Sequence, residues 1–129
     1  MSKVKPSAIS TDKAPAAIGP YSQAIKTDTL VFVSGQLGLV PETGDLLNHD
    51  IQAETKQAMT NLKNILVAAG SSMERVLKIT LMIRNMGDFP QINETYGTFF
   101  PESAPARSCL EASGLPRNAN IEIDAIAAL

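Results

Sequence analysis

The sequence is sparing with the residues that most chemistry of proteins draws on. Its 129 residues include one cysteine, one histidine and six aromatics, two Tyr and four Phe. Cys109 alone leaves no intramolecular disulfide and cannot supply a Cys-rich zinc site. His49 lies in a polar loop, so a His-dependent triad would have to be built around it, and a solvated loop histidine is the expectation. There is no Gly-x-Gly-x-x-Gly, no Gly-Lys-Ser/Thr phosphate loop and no His-x-x-x-His. Positive charge is also short. Eleven Lys and Arg stand against thirteen Asp and Glu, for a net charge of −2, and the pI is about 5.3. That disfavours a nucleic-acid partner bound by bulk charge. No apolar run approaches the roughly 18 residues of a membrane span. The segment Met1–Pro6 has neither the apolar core of a secretory signal nor the Arg-rich pattern of a transit peptide. The expected compartment is the cytosol, where a lone thiol stays reduced.

What remains is an ordinary globular composition, 44% hydrophobic and 19% charged, of a length that suits a single domain over 1–129. Residues 13–20 carry Pro15, Gly19 and Pro20 and are expected to be irregular. Two β segments follow, within Tyr21–Lys26 and at Leu30–Val33, the second ended by Ser34-Gly35. Residues 51–69 repeat apolar side chains at helical spacing, with Asp50 as N-cap and Gly70 as the residue after the C-cap. Residues 76–84 alternate as a strand, with Leu77, Ile79, Leu81 and Ile83 on the apolar face. A second helix is expected to start at Asp88, its capping acid, with Phe89, Ile92, Tyr96, Phe99 and Phe100 as its buried stripe, and to stop at Pro101. Strands near 106–112 and 120–128 are expected to form a hairpin through the loop 113–119.

This order implies an α+β fold, a single mixed sheet with two helices on one face. Several strands are apolar on both faces, and an uncovered apolar sheet face is rare on a monomer. A second subunit is the simplest cover, so the chain is expected to oligomerise through the face without helices.

The candidate chemistry sits in three polar clusters: residues 17–23, Val33-Ser34-Gly35-Gln36, and Pro105-Ala106-Arg107-Ser108-Cys109 with Ile121-Glu122-Ile123. Arg107 is either half of a structural ion pair with Glu122 or Glu111, or a planar fork for a carboxylate. Cys109 reads as a small core hydrophobe or a reactive thiol. Tyr21 is a packed ring or a pocket wall. Ser34-Gly35 is a strand end or a presented backbone N–H. Asn93 lies one helical turn from Tyr96.

Taken in order, residues 14–23, Val33-Ser34-Gly35-Gln36, Asn93-Glu94-Thr95-Tyr96, Pro105-Ala106-Arg107-Ser108-Cys109 and Ile121–Ala127 resemble the RidA (YjgF/YER057c/UK114) family over nearly the whole chain. The resemblance implies a chorismate-mutase-like fold, a homotrimer with clefts between subunits, and hydrolysis of reactive 2-imino or enamino acids to 2-keto acids and ammonia. It implies catalytic roles for Arg107 and Glu122 and substrate binding by Tyr21, Ser34, Gly35, Asn93, Arg107 and Cys109, with no metal and no cofactor. Arg107 would hold the substrate carboxylate with help from the Gly35 N–H. Glu122 would deprotonate a water, and the backbone carbonyl near Cys109 would accept from the imine nitrogen. The competing readings are a non-enzymatic module that binds small carboxylates, and a ribonuclease or translation inhibitor.

Overall fold

The structure, a computed structural model, describes residues 5–129. The reading of Met1–Val4 as free of a targeting signal lies outside the described residues. The elements run β1 (Ser7–Ile9), β2 (Ala24–Lys26), β3 (Leu30–Gln36), α1 (Ile51–Ala68), β4 (Val76–Ile83), α2 (Phe89–Gly97), β5 (Ala106–Glu111) and β6 (Ile121–Ala128). The six strands form one mixed sheet in the order β1-β2-β3-β6-β4-β5, and only β4 and β5 are parallel. Both helices cover one face of it. The α+β class holds, with β1 as a short strand the sequence pattern did not reveal.

The two helices differ in how they start. Asp50 caps α1, its side chain accepting from the Gln52 N–H at 3.0 Å. Gly70, at φ +89°, ends it in the left-handed region. One face of α1 buries Thr55, Ala58, Met59, Leu62, Ile65 and Leu66. A fully buried leucine such as Leu62 contributes about 2–5 kcal/mol relative to alanine at such a site. The expected cap of α2 is not made. Asp88 closes a 3₁₀ turn over Met86–Asp88 and its side chain caps nothing; Asn85 accepts from the Gly87 N–H instead.

The hairpin of the last two strands is also overturned. β6 lies between β3 and β4, antiparallel to both, and β5 pairs in parallel with the far side of β4. The burial patterns explain the exchange. Ile121, Ile123, Ala125 and Ala127 are all buried under the helices, which suits a central strand. β5 is largely exposed and follows Pro105, which suits an edge.

A register shift between Val76 and Lys78 corrects the phase of β4. Val76 joins Ile79, Leu81 and Ile83 in the core, while Leu77 is half exposed. The face without helices presents Phe32, Thr80, Met82, Ile126 and Leu110 beside Glu122 and Asp124. Phe32 and Leu110 are over 40% exposed on it. The dual apolar character of Leu30–Val33 is therefore satisfied on one side only within this chain.

Candidate active site

The larger cleft, about 680 Å3, opens beside β3 and is lined by Ile18, Tyr21, Gly35, Leu37, Arg117 and Glu122 among others. Its walls are loops, and buried amides hold those loops in place. The Gln23 side chain accepts from the Thr11 N–H at 2.7 Å and donates to the Thr11 and Pro15 carbonyls at 3.0 and 2.8 Å. One buried residue thereby fixes the irregular segment before Tyr21. Asn61, buried on α1, donates to the carbonyls of Leu37 and Leu39 at 3.0 and 2.8 Å. Buried Glu54 accepts from the N–H and the side-chain amide of Asn120, just before β6, at 2.7 and 2.9 Å.

Tyr21 stands half exposed at the mouth, and its hydroxyl accepts from the Ile18 N–H at 3.3 Å. It is a pocket wall, not a core ring. The Ser34 hydroxyl donates to the Ser22 carbonyl at 2.6 Å, which ties the strand end to the same loop. β3 shifts register between Val33 and Gln36, and there Gly35 passes under Glu122. A Cβ on Gly35 would overlap the Glu122 carboxyl oxygen and lie 2.8 Å from its Cδ. Gly35 is needed for this close approach. Burial, and then the like charge of Asp124, push the Glu122 carboxyl above the usual carboxylate range. Burial raises Asp124 as well, partly offset by a hydrogen bond with Thr80.

Arg107 is elsewhere. On β5 it pairs with Ile79 of β4, so its side chain leaves the sheet on the helix-bearing face. Nη1 donates to Asn93 Oδ1 at 2.8 Å. Cζ lies 5.2 Å from the centroid of the Phe89 ring and 4.8 Å from that of Tyr96. Phe89, Asn93 and Tyr96 follow at i, i+4 and i+7 on α2, one helical face under one guanidinium. The ion pair with Glu122 or Glu111 does not form. Glu122 faces the opposite side of the sheet with β4 between them, and Glu111 accepts from the Met86 N–H at 2.9 Å. Cys109, half-buried against the core, has its thiol pushed up by burial more than Arg107 lowers it. That is the behaviour of a packing residue, not of an activated nucleophile.

The sequence-derived site residues thus fall into two groups. Tyr21, Ser34, Gly35 and Glu122 meet at the cleft. Arg107, Asn93 and Cys109 gather on the other face, at the sheet edge. Gln23 belongs to the first polar cluster but carries no role in the sequence reading; Arg117 at the cleft and Asn61 behind its wall are not singled out there, and Phe89 and Tyr96 are read only as core. Arg117 and Asn118 both adopt φ +57°, unusual for residues other than glycine, and Arg117 donates to the Gly44 carbonyl at 3.3 Å. His49 is exposed outside the cleft. Among the described residues no three of His, Cys, Asp and Glu are grouped to hold a metal ion, and no helix is long and apolar enough to cross a membrane.

Residues 11–129 match the family described as Endoribonuclease L-PSP. This chain belongs to that family, the RidA family. It is 48% identical over 128 residues to "Reactive Intermediate Deaminase A, chloroplastic" of Arabidopsis thaliana, which covers 99% of this chain and 68% of the relative. It is 47% identical to the 2-iminobutanoate/2-iminopropanoate deaminase of Mus musculus, covering 98% of this chain and 94% of that one. Among solved structures, E. coli TdcF with bound serine superposes with a TM-score of 0.92 at 40% identity, covering 95% of this chain and 98% of that one. Yeast Mmf1 gives a TM-score of 0.93 at 34% identity, covering 96% and 98%.

Proposed function

We propose that this RidA-family chain hydrolyses 2-imino acids to 2-keto acids and ammonia in clefts formed between copies of itself, three to an assembly. The observation that carries the reading is the separation of Arg107 from Glu122 on opposite sheet faces. Within one chain they cannot grip the same small molecule. A neighbouring β5 edge brought to the cleft would set a guanidinium opposite the carboxyl. The apolar face around Phe32 and Leu110 supplies the surface for that association.

In this assembly Arg107 holds the substrate carboxylate as a bidentate fork, joined by the Gly35 N–H, with Tyr21, Ser34 and Asn93 around it. Glu122 takes a proton from a water, whose oxygen bonds to the imine carbon. The C=N π pair moves to nitrogen, which receives the water proton back from Glu122 while its N–H donates to the carbonyl near Cys109, and Glu122 then carries the hydroxyl proton to the same nitrogen. The resulting carbinolamine collapses to C=O as the C–N bond breaks and ammonia leaves. No step needs a metal or an organic cofactor; two charges and a confined water suffice for a reaction that is easy in water. The deaminase names of the mouse and plant relatives, and the serine bound by TdcF, a ligand with the same carboxylate and α-nitrogen, support the reading.

The test is steady-state hydrolysis of freshly generated 2-iminobutanoate with solution mass recorded alongside. We expect turnover by a trimer, and a loss of at least about 100-fold in kcat/KM for Arg107→Ala with mass and far-UV spectrum unchanged. Near-normal turnover by that variant rejects the clamp. Tight binding of 2-keto acids without turnover favours the carboxylate-binding module, and RNA cleavage by highly purified protein, lost on mutating the cleft, favours the ribonuclease.

A further inference from the structure

The Arg107 guanidinium has two acceptors beneath it on α2 and uses one. Asn93 Oδ1 takes an N–H at 2.8 Å. Tyr96, only 6% exposed, has its ring 4.8 Å from Cζ, and its buried hydroxyl has no hydrogen-bond partner among the described residues. A buried hydroxyl without a partner is rare and costs its full desolvation. Phenylalanine would fill the same space without that cost, as Phe89 does under the same guanidinium and Phe100 does 5.0 Å from the Tyr96 ring. The oxygen therefore costs the free chain its desolvation unless the guanidinium beside it turns to meet it.

The donor count of arginine identifies a use for that oxygen. The guanidinium carries five N–H groups. A bidentate carboxylate takes two and Asn93 takes one, so two remain to be satisfied once the cleft closes over them. We infer that Tyr96 is a positioning residue for Arg107: when a carboxylate engages the fork, Tyr96 Oη becomes the second protein acceptor and fixes the plane of the guanidinium. The inference rests on the clamp role proposed above. The phenol is suited to the task. Burial pushes the phenol up, and the charge of Arg107 and a side-chain contact with it, too poorly aligned to count as a full hydrogen bond, pull the other way, so the oxygen lies beside a cation it can meet with a small turn of the guanidinium.

Tyr96→Phe removes this one oxygen and keeps the ring. The expected result is an unchanged mass, a thermal midpoint equal to or above that of the parent, and a KM for 2-iminobutanoate raised about five-fold with kcat within two-fold, because a carboxylate grip binds ground and transition states alike. The Kd for 2-oxobutanoate, measured by calorimetry, rises by the same factor. A merely structural tyrosine gives KM and Kd equal to the parent's, and that result overturns the inference while leaving imine hydrolysis standing. If the parent binds 2-oxobutanoate but does not turn over the imine, the proposed reaction fails, and the ratio of the two Kd values still decides the role of Tyr96. If the parent neither binds nor turns over, both fall together.

Discussion

The cleft around Glu122 and the edge around Arg107 are built by opposite means. The cleft is concave and walled mostly by loops, with Glu122 its one carboxyl, and its shape depends on buried amides, Gln23 and Asn61 above all. The edge is exposed, and its Arg107 guanidinium is steadied from below by a helix face. The cleft has volume and the Glu122 carboxyl, with its own Arg117 donating to the Gly44 carbonyl; the edge has a guanidinium with N–H groups still free for a carboxylate. In the reading proposed above the two halves are complementary but unassembled within one chain, and a second copy would supply the missing half.

The largest effects are expected when the two halves are separated genetically. Arg107→Ala and Glu122→Gln should each lose about 10²–10⁴-fold in kcat/KM. Co-refolded in equal amounts, they should recover roughly a quarter of parental activity, because one cleft in four pairs an intact Arg107 with an intact Glu122 on different chains. No recovery in verified mixed assemblies means that both groups must belong to the same chain.

Gly35→Ala attacks the cleft alone. The added methyl must displace the Glu122 carboxyl, so we expect a loss on the order of 10²-fold in kcat/KM with 2-oxobutanoate binding largely kept. Parental turnover would show that the position of Glu122 is unimportant.

Asp124→Asn sharpens the electrostatics. Glu122 acts as a base only when ionised, so activity falls as pH drops through its raised pKa. Removing the neighbouring charge should move that acid limb to lower pH and leave the plateau near parental. The sign for stability follows from linkage. A carboxyl raised on folding binds more protons folded than unfolded, so it costs stability above its folded pKa. Asp124→Asn should therefore raise the thermal midpoint near neutrality, the gain vanishing once the pH falls below the ordinary carboxylate range. An unmoved pH profile would remove Asp124 from the account.

Cys109→Ala should have the smallest effect, within about threefold in kcat/KM, since only side-chain packing is lost. A folded but dead variant would restore the thiol as a reactant.

Periodicity made much of this legible. The burial stripe of α1, the cap at Asp50 and the turn at Gly70 lie where the spacing put them, because local rules and the core agree there. The edge position of β5 was not legible, since a nine-residue connection can close a hairpin or step across a strand, and only the relative burial of β5 and β6 decides. Asp88 failed as a cap because a 3₁₀ turn occupied the helix start first. At the candidate site the residue types could be read but their partners could not. Phe89, Asn93 and Tyr96 show their common face in the spacing, yet nothing local says that Arg107, fourteen residues beyond Asn93, lies across it. The Gln23 clip reaches Pro15 within the string 14–23, yet residue types alone do not reveal the bond, and the Asn61 clip reaches 22–24 residues along the chain, beyond any motif.

The outer side of β5 has a consequence for handling the protein. That strand bonds to β4 alone, so in a solitary chain every second one of its six residues turns its backbone N–H and C=O outward unused, with Leu110 beside them. Solutions dilute enough to hold single chains should be the ones that clump irreversibly on storage, and concentrated stocks should keep longer.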